Sequence, residues 1–196
     1  YPPDPAPDRI GDFHRPCLLW DNVANKWKLY FDYYNTHLPG CNTGMAENKG
    51  DFITGKFEFA HNLEKPLIMD WPNPEVVKIG SCYFAFSDAP GYTDADAPAG
   101  KEMDKGWQSR QLRMAQSYDG LVWEKKYYIK PDSRLGANHV PQTLVCYREG
   151  KWWLYLFYGT QVGWRKTEVK YPFFKEGDYN WFYDQIRYMR QEIKVK

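Results

Sequence analysis

Apolar and polar residues alternate along the chain in short runs that turn-forming residues separate, which is the pattern of half-buried β-strands. Three of these runs are rich in aromatic residues: 26–34 reads KWKLYFDYY, 82–88 reads CYFAFSD, and 151–158 reads KWWLYLFY. A turn precedes each run, so we expect each run to form the second strand of a β-hairpin. Helix patterns are sparse, and the best of them, residues 184–194, fits a strand equally well. The pattern predicts an all-β protein.

A proline opens each of the three hairpins, at Pro16, Pro74 and Pro141, and the successive openings are 58 and 67 residues apart. A Met-Ala pair recurs in the third strand of the first two units, at 45–46 and 114–115. Repeats of this length with several short strands are typical of four-stranded propeller blades that carry loop insertions. We therefore expect a single partial β-propeller domain over residues 1–196, with about three blades at residues 14–71, 73–131 and 139–196.

An antiparallel β-sandwich is the alternative fold, because the hairpins of any such sheet resemble one another. The repeated order of proline, aromatic strand and Met-Ala pair favours the propeller. Three blades do not close a ring by themselves, since propellers usually contain at least four. We expect the missing blades to come from further sequence of a truncated chain, from a second copy in a homo-oligomer, or from a partner chain.

Composition narrows the classes of partner. The formal net charge is +1 and the charged residues are scattered, so we expect no nucleic-acid partner. No apolar run approaches the roughly 20 residues of a membrane helix, so we expect no membrane span. Aromatic residues make up 18% of the chain, which is more than the core of one domain requires. Some aromatic rings are therefore expected on half-buried or exposed faces.

The cysteines indicate neither a metal site nor a cofactor. Cys17, Cys41, Cys82 and Cys146 form no Cys-x-x-Cys pair and no histidine spacing that is typical of zinc sites. We expect isolated thiols. The sequence begins at Tyr1 without a Met or a signal sequence, so we expect a processed or trimmed N-terminus. The compartment is left open, and an extracellular or periplasmic location is compatible with the sequence.

Several blade motifs resemble a known family. A His-x-Pro opening occurs at 14–16 and at 139–141, the second strand of the first unit contains Tyr-x-x-Tyr, and residues 115–123 read AQSYDGLVW. These motifs resemble the five-bladed propeller glycoside hydrolases of the arabinofuranosidase, xylosidase and invertase-like group. The resemblance implies hydrolysis of glycosidic bonds in the central channel. It also implies carboxyl groups on the inner strands of different blades, because two such groups must flank the scissile bond.

The sequence departs from this family pattern at the expected carboxylates. Asn73 stands where the resemblance implies an Asp before a proline, and Asn138 and His139 stand where it implies the acid Glu. Asp70 lies close enough to the second opening to replace one carboxylate, although a turn or cap aspartate is the alternative. His139 is a candidate acid because imidazole titrates near neutral pH. Glu47 is a third catalytic candidate, with a solvated strand residue as its alternative.

Candidates for sugar binding cluster at the same openings. His14 occupies the place in the first blade that His139 occupies in the third, and Trp71 offers a ring that could stack on a sugar or pack between blades. The sugar-binding candidates are His14, Arg15, Trp71, Asn73, Glu75, Asp88, Asn138 and Gln142. Since the inner strands of a propeller start on one rim, we expect His14, Asp70, Asn73 and His139 to lie together. A pair formed by Asp70 and His139 would serve as a proton donor.

Three functions follow from these observations. The first is a glycosidase-like hydrolase that binds an oligosaccharide in the channel and cleaves it. The second is a non-catalytic carbohydrate-binding propeller that has lost the carboxylates, and the third is a scaffold for protein interactions. A close pair of carboxylates in the channel favours the first, neutral hydrogen-bonding groups with aromatic rings favour the second, and a filled channel favours the third.

Overall fold

The computed structural model describes residues 10–38, 40–48, 50–51, 54–89, 111–129, 137–166 and 179–194. All secondary structure in these ranges is β-strand, so the all-β class is confirmed. The described residues contain no helix that is long and apolar enough to cross a membrane.

In the described ranges, eleven strands form three antiparallel sheets, each built from strands that follow one another in the chain. The first sheet contains β1 (Ile10–Asp21), β2 (Lys26–Asn35), β3 (Cys41–Asn48) and β4 (Glu58–Phe59). The second contains β5 (Glu75–Ile79), β6 (Cys82–Ala89), β7 (Gln111–Ser117) and β8 (Glu124–Ile129). The third contains β9 (Ala137–Arg148), β10 (Lys151–Lys166) and β11 (Tyr179–Ile193), three strands among the described residues.

The sheets stack in the order of the chain, since β1 contacts β5 and β5 contacts β9. Tyr30 and Phe86 are equivalent, because each pairs with the residue that follows the opening proline of its own sheet. Tyr30 packs in a cluster with Tyr83 of the second sheet, whereas Phe86 packs in a cluster with Leu156 of the third. Equivalent residues thus face the next sheet each time. This stacking fits successive blades of a partial propeller and not two sheets that close face to face.

Aromatic side chains contribute much of the core between the first and second sheets. Strand alternation sends every second residue toward the following sheet and the others toward the preceding side. The cluster between the first and second sheets contains Tyr30, Met45, Trp71 and Tyr83, all at most 3% exposed. The opposite face of the first sheet carries a separate cluster that includes Phe31 and Tyr33.

The residue before each opening proline has a left-handed backbone. Arg15, Asn73 and Val140 have φ angles of 50°, 49° and 50°. This region is uncommon for residues other than glycine and costly for a β-branched one such as Val140. The backbone N–H of Asn73 donates to Asp32 Oδ2 at 2.9 Å, and that of Val140 donates to Asp88 Oδ2 at 3.4 Å.

Asp32 and Asp88 are equivalent residues near the ends of β2 and β6, and both are completely buried. Each carboxylate accepts the N–H that opens the following sheet, and we call this contact the blade latch. The third sheet has Gly159 at the corresponding place, opposite His139 in the register. Two latches therefore join the three sheets among the described residues, and they compensate part of the backbone strain at the openings.

A buried ionic cluster joins the first two sheets at the other end of β1. Asp21, 1% exposed, lies 2.5 Å from Lys78 Nζ and 3.3 Å from Lys28 Nζ, and it accepts a hydrogen bond from the Tyr83 hydroxyl. Burial alone would raise the pKa of Asp21, but the hydrogen bonds from Lys78 and Tyr83 outweigh it and hold the pKa well below its usual range. Lys28 also donates to the carbonyl of Asp119 at 3.0 Å.

Candidate functional site

Asp32 is the centre of a polar cluster at the opening of the first sheet. It is 0% exposed, and it accepts three hydrogen bonds: from His14 Nδ1 at 2.9 Å, from Arg15 Nη1 at 2.7 Å, and from the N–H of Asn73 at 2.9 Å. Because a carboxylate only accepts, Nδ1 of His14 carries the proton. One buried carboxylate therefore fixes two neighbouring side chains of β1 and the start of the second sheet.

His14 and Arg15 are the partly exposed members of this cluster. Their side chains are 25% and 40% exposed, whereas Asp32 beneath them is inaccessible. Since Nδ1 of His14 is engaged by Asp32, any ligand contact of the imidazole is expected through Nε2. Five N–H groups in a planar fork make Arg15 a donor to several acceptors at once. The pair offers hydrogen-bonding groups whose positions are set before a ligand arrives.

Asn73 connects the first latch to the second. Its side-chain amide donates to Asp88 Oδ1, while its backbone N–H donates to Asp32. Asn73 is 4% exposed, and its Oδ1 has no hydrogen-bond partner among the described residues. This residue therefore acts in the structure as a bridge between two buried carboxylates.

Asp70 and Trp71 lie beside the start of β3. The backbone N–H of Asp70 donates to Asn42 Oδ1 at 3.1 Å, and its side chain is 34% exposed. Arg113 donates to the carbonyl of Asp70, and its Nη1 lies 3.9 Å from Asp70 Oδ2. The guanidinium carbon of Arg113 lies 4.6 Å from the centre of the Trp71 ring. Trp71 is 0% exposed, so its ring presents no face to a sugar and instead supports Arg113.

Tyr34 and Cys41, which face each other in the register of β2 and β3, complete the surroundings of His14. The Tyr34 ring lies perpendicular to the imidazole, with 5.8 Å between ring centres, and Tyr34 is 47% exposed. Burial and the nearby charge of Asp32 raise the pKa of the Cys41 thiol to about 12. Neither residue was a sequence candidate. The signal that could have found them is the repeat position of Asp32, around which both gather.

His14, Asp32 and Cys41 form the one group of side chains in the described ranges whose ligand atoms are close enough to hold a metal ion, all within 4.8 Å of one another. Imidazole and thiolate suit a transition metal. The guanidinium of Arg15, 2.7 Å from the same carboxylate, places a fixed positive charge there. That charge disfavours a divalent cation.

Glu75 and Gln142 bond to partners other than Asp32. Glu75 accepts two hydrogen bonds from Thr143, at 2.8 and 2.7 Å, and links β5 to β9. Burial raises the pKa of Glu75, and the bonds from Thr143 offset part of this rise. Gln142 is exposed, and its amide donates to the carbonyl of Pro141 at 2.9 Å.

Glu47 lies on β3, where it pairs with Lys26 at 2.5 Å. It is four residues along the strand from Thr43, the register partner of Asp32, which corresponds to about 13 Å. The side chains of Asn138 and His139 are outside the described part of the chain, so the pairing of Asp70 with His139 stays a prediction.

The sequence matches no protein-family model and no curated protein. Among solved structures, the fold is similar to an N-acetylgalactosamine deacetylase from F. plautii that was solved with blood group B trisaccharide. The TM-score is 0.58 at 14% identity, over 95% of this chain and 51% of that one. A family 117 glycoside hydrolase from Zobellia galactanivorans aligns with a TM-score of 0.49 at 16% identity, over 79% of this chain and 52% of that one. The chain spans about half the length of these structures, and at such identities the likeness concerns the fold alone.

Of the four residues predicted to lie together, His14 and Asn73 bond to the same carboxylate of Asp32, although they belong to different sheets. Asp70 lies beside Arg113 instead, and its backbone N–H is bonded to Asn42 of β3. Arg15, a sequence candidate, joins His14 on the same carboxylate. The arrangement places two partly exposed hydrogen-bonding side chains over the buried carboxylate that holds them. It is suited to hold a polar ligand.

Proposed function

We propose that this chain is part of a carbohydrate-binding propeller in which His14 and Arg15 hydrogen-bond the hydroxyl groups of a sugar. The observation that carries the proposal is the buried carboxylate of Asp32, which holds both side chains at 2.9 and 2.7 Å while they remain 25% and 40% exposed. Sugar hydroxyls both donate and accept. The imidazole Nε2 of His14, which accepts, and the guanidinium of Arg15, which donates, therefore match these hydroxyls, and no further charged group is needed.

The burial of Asp32 and Asp88 supports sugar binding better than it supports hydrolysis. A glycosidase needs two carboxyl groups that reach the scissile bond from opposite sides. Asp32 and Asp88 are both 0% exposed and are occupied by protein donors. Hydrolysis remains the second candidate, and the observation in its favour is Asp70, whose carboxylate is 34% exposed beside Arg113. In that case Asp70 would act with His139.

The likeness in fold to the F. plautii deacetylase supports a carbohydrate partner and guides the choice of ligands, because that protein was solved with blood group B trisaccharide. The proposal includes closure of a five-bladed ring by further blades, supplied by more sequence or by a second copy. Exposed aromatic residues on the outer face of the first sheet support this part, since Phe13 and Phe59 are 50% and 58% exposed there. The first sheet would pack on the preceding blade through that face.

Replacing His14 with alanine is expected to weaken sugar binding roughly tenfold, because one prearranged hydrogen bond to the ligand is lost. Arg15→Lys keeps the charge but not the planar fork, and a similar loss is expected. Isothermal titration calorimetry would measure both variants against blood group B trisaccharide, N-acetylgalactosamine, and arabino- and xylo-oligosaccharides. His37→Ala, at an exposed histidine outside this cluster, is the matched control.

Unchanged binding in both variants, with the wild-type chain binding a sugar, would place the sugar elsewhere. An assay for turnover of aryl glycosides distinguishes hydrolysis, the second candidate function, from sugar binding alone. Hydrolysis that falls by about 100-fold or more in Asp70→Asn, with binding retained, would establish a glycosidase instead.

A further inference from the structure

An exposed aromatic ring lies beside the two hydrogen-bonding side chains. Tyr34 is 47% exposed, and its ring centre is 5.8 Å from that of His14. Tyr34 and Asp32 are two residues apart on β2, so their side chains leave the strand on the same face. Tyr34 therefore lies on the side of the sheet where Asp32 holds His14 and Arg15.

The neighbours of Tyr34 on the sheet explain why its ring is exposed to solvent. Across the register it faces Gly11 on β1, which has no side chain to cover it, and Cys41 on β3, which has a short one. Directly opposed residues are the ones that normally cover each other on a sheet face. Two small partners leave one aromatic ring accessible between them.

Other aromatic rings near this cluster are already occupied. Trp71 is 0% exposed beneath Arg113. Phe13, although 50% exposed, packs edge-on against Phe31 at 5.4 Å and stacks on Phe59 at 5.8 Å, in the cluster on the other face of the sheet. Tyr34 is thus the exposed ring in contact with the His14 imidazole among the described residues.

Sugar rings present faces of C–H groups as well as a rim of hydroxyls. A site that hydrogen-bonds the rim gains further affinity when an aromatic ring covers a C–H face, because this contact removes apolar surface from water. We propose that Tyr34 is the stacking platform of the sugar site and that it selects ligands with an uninterrupted apolar face. This inference rests on the proposed function of His14 and Arg15.

The test is calorimetry on Tyr34→Ala and Tyr34→Phe, with blood group B trisaccharide as the first probe. If another sugar of the panel binds the wild-type chain more tightly than the trisaccharide, that sugar is used as the probe instead. We expect Tyr34→Ala to weaken binding about tenfold and Tyr34→Phe to stay within about threefold of wild type, because phenylalanine keeps the ring. Tyr118→Ala, at a 76% exposed tyrosine in the turn between β7 and β8, is the matched control.

Thermal unfolding of each variant separates loss of the ring from loss of the fold. Equal losses in Tyr34→Ala and Tyr34→Phe would overturn the stacking role and assign the effect to the hydroxyl. Wild-type binding in Tyr34→Ala, together with weakened binding in His14→Ala, would overturn this inference and leave the proposed function standing. Absence of sugar binding in the wild-type chain would overturn both.

Discussion

Replacing Asp32 with alanine is expected to lower the free energy of unfolding by about 3–5 kcal/mol, because one buried backbone donor is left unsatisfied and two charge-assisted hydrogen bonds from partly exposed side chains are lost. Three donors lose their acceptor, and one of them is the backbone N–H of Asn73 at the start of the second sheet. That group is buried and cannot turn to water, so its desolvation is no longer compensated. The left-handed backbone at Asn73, with φ 49°, also loses the contact that holds it.

Urea unfolding followed by tryptophan fluorescence would measure this loss. Asp32→Asn keeps one carbonyl acceptor and removes the charge, so its destabilisation is expected between that of Asp32→Ala and wild type. Asp51→Ala, at an exposed aspartate, is the control and should change stability by less than about 0.5 kcal/mol. Equal effects at positions 32 and 51 would mean that the latch does not join the sheets.

Replacing Asp21 with alanine is expected to have an effect of similar size, about 3–5 kcal/mol, because it leaves two ammonium groups without their counter-ion. Lys28 is 3% exposed, and Lys78 lies 2.5 Å from the same carboxylate. Lys78→Met in the Asp21→Ala background should restore part of the loss, since one unpaired charge is then removed. The two substitutions are therefore expected to be strongly non-additive.

Asp21 is also expected to make the free energy of unfolding depend on pH. The pKa of Asp21 is lower in the folded chain than in the unfolded chain, so the unfolded chain binds more protons as the pH falls. The stabilising contribution is present above about pH 4, the ordinary range of an aspartate, and is lost as the pH falls toward the folded pKa. Wild type should lose more stability than Asp21→Asn between about pH 5 and pH 2. Parallel pH profiles would contradict the role of this cluster.

Local pattern was enough to predict the strands. The aromatic run at 26–34 corresponds to β2 (Lys26–Asn35), and the run at 82–88 to β6 (Cys82–Ala89). Alternation and turns act over a few residues, so a single stretch of sequence contains the whole signal. The opening prolines also mark the sheets, because Pro16, Pro74 and Pro141 each lie in or next to the first strand of a different sheet.

The site was harder to predict, because its contacts join residues far apart in the chain. Asp32 reaches Asn73, 41 residues later, and no local pattern separates a buried aspartate that closes a latch from one at a solvated strand end. Trp71 shows the same difficulty, since the sequence left open whether its ring stacks on a sugar or packs between blades, and the structure buries the ring completely beneath Arg113. Burial of these residues depends on how one sheet packs on the next. Equivalent positions compared across repeats were the available clue to Asp32 and Asp88.

A crystal structure of the chain soaked with the sugar that binds most tightly in calorimetry would show whether His14 and Arg15 hold the ligand. We expect sugar oxygens within about 3 Å of His14 Nε2 or the Arg15 guanidinium, with Asp32 still bonded to both side chains from beneath. A sugar bound elsewhere, with His14 and Arg15 making no contact to it, would be inconsistent with the proposed function.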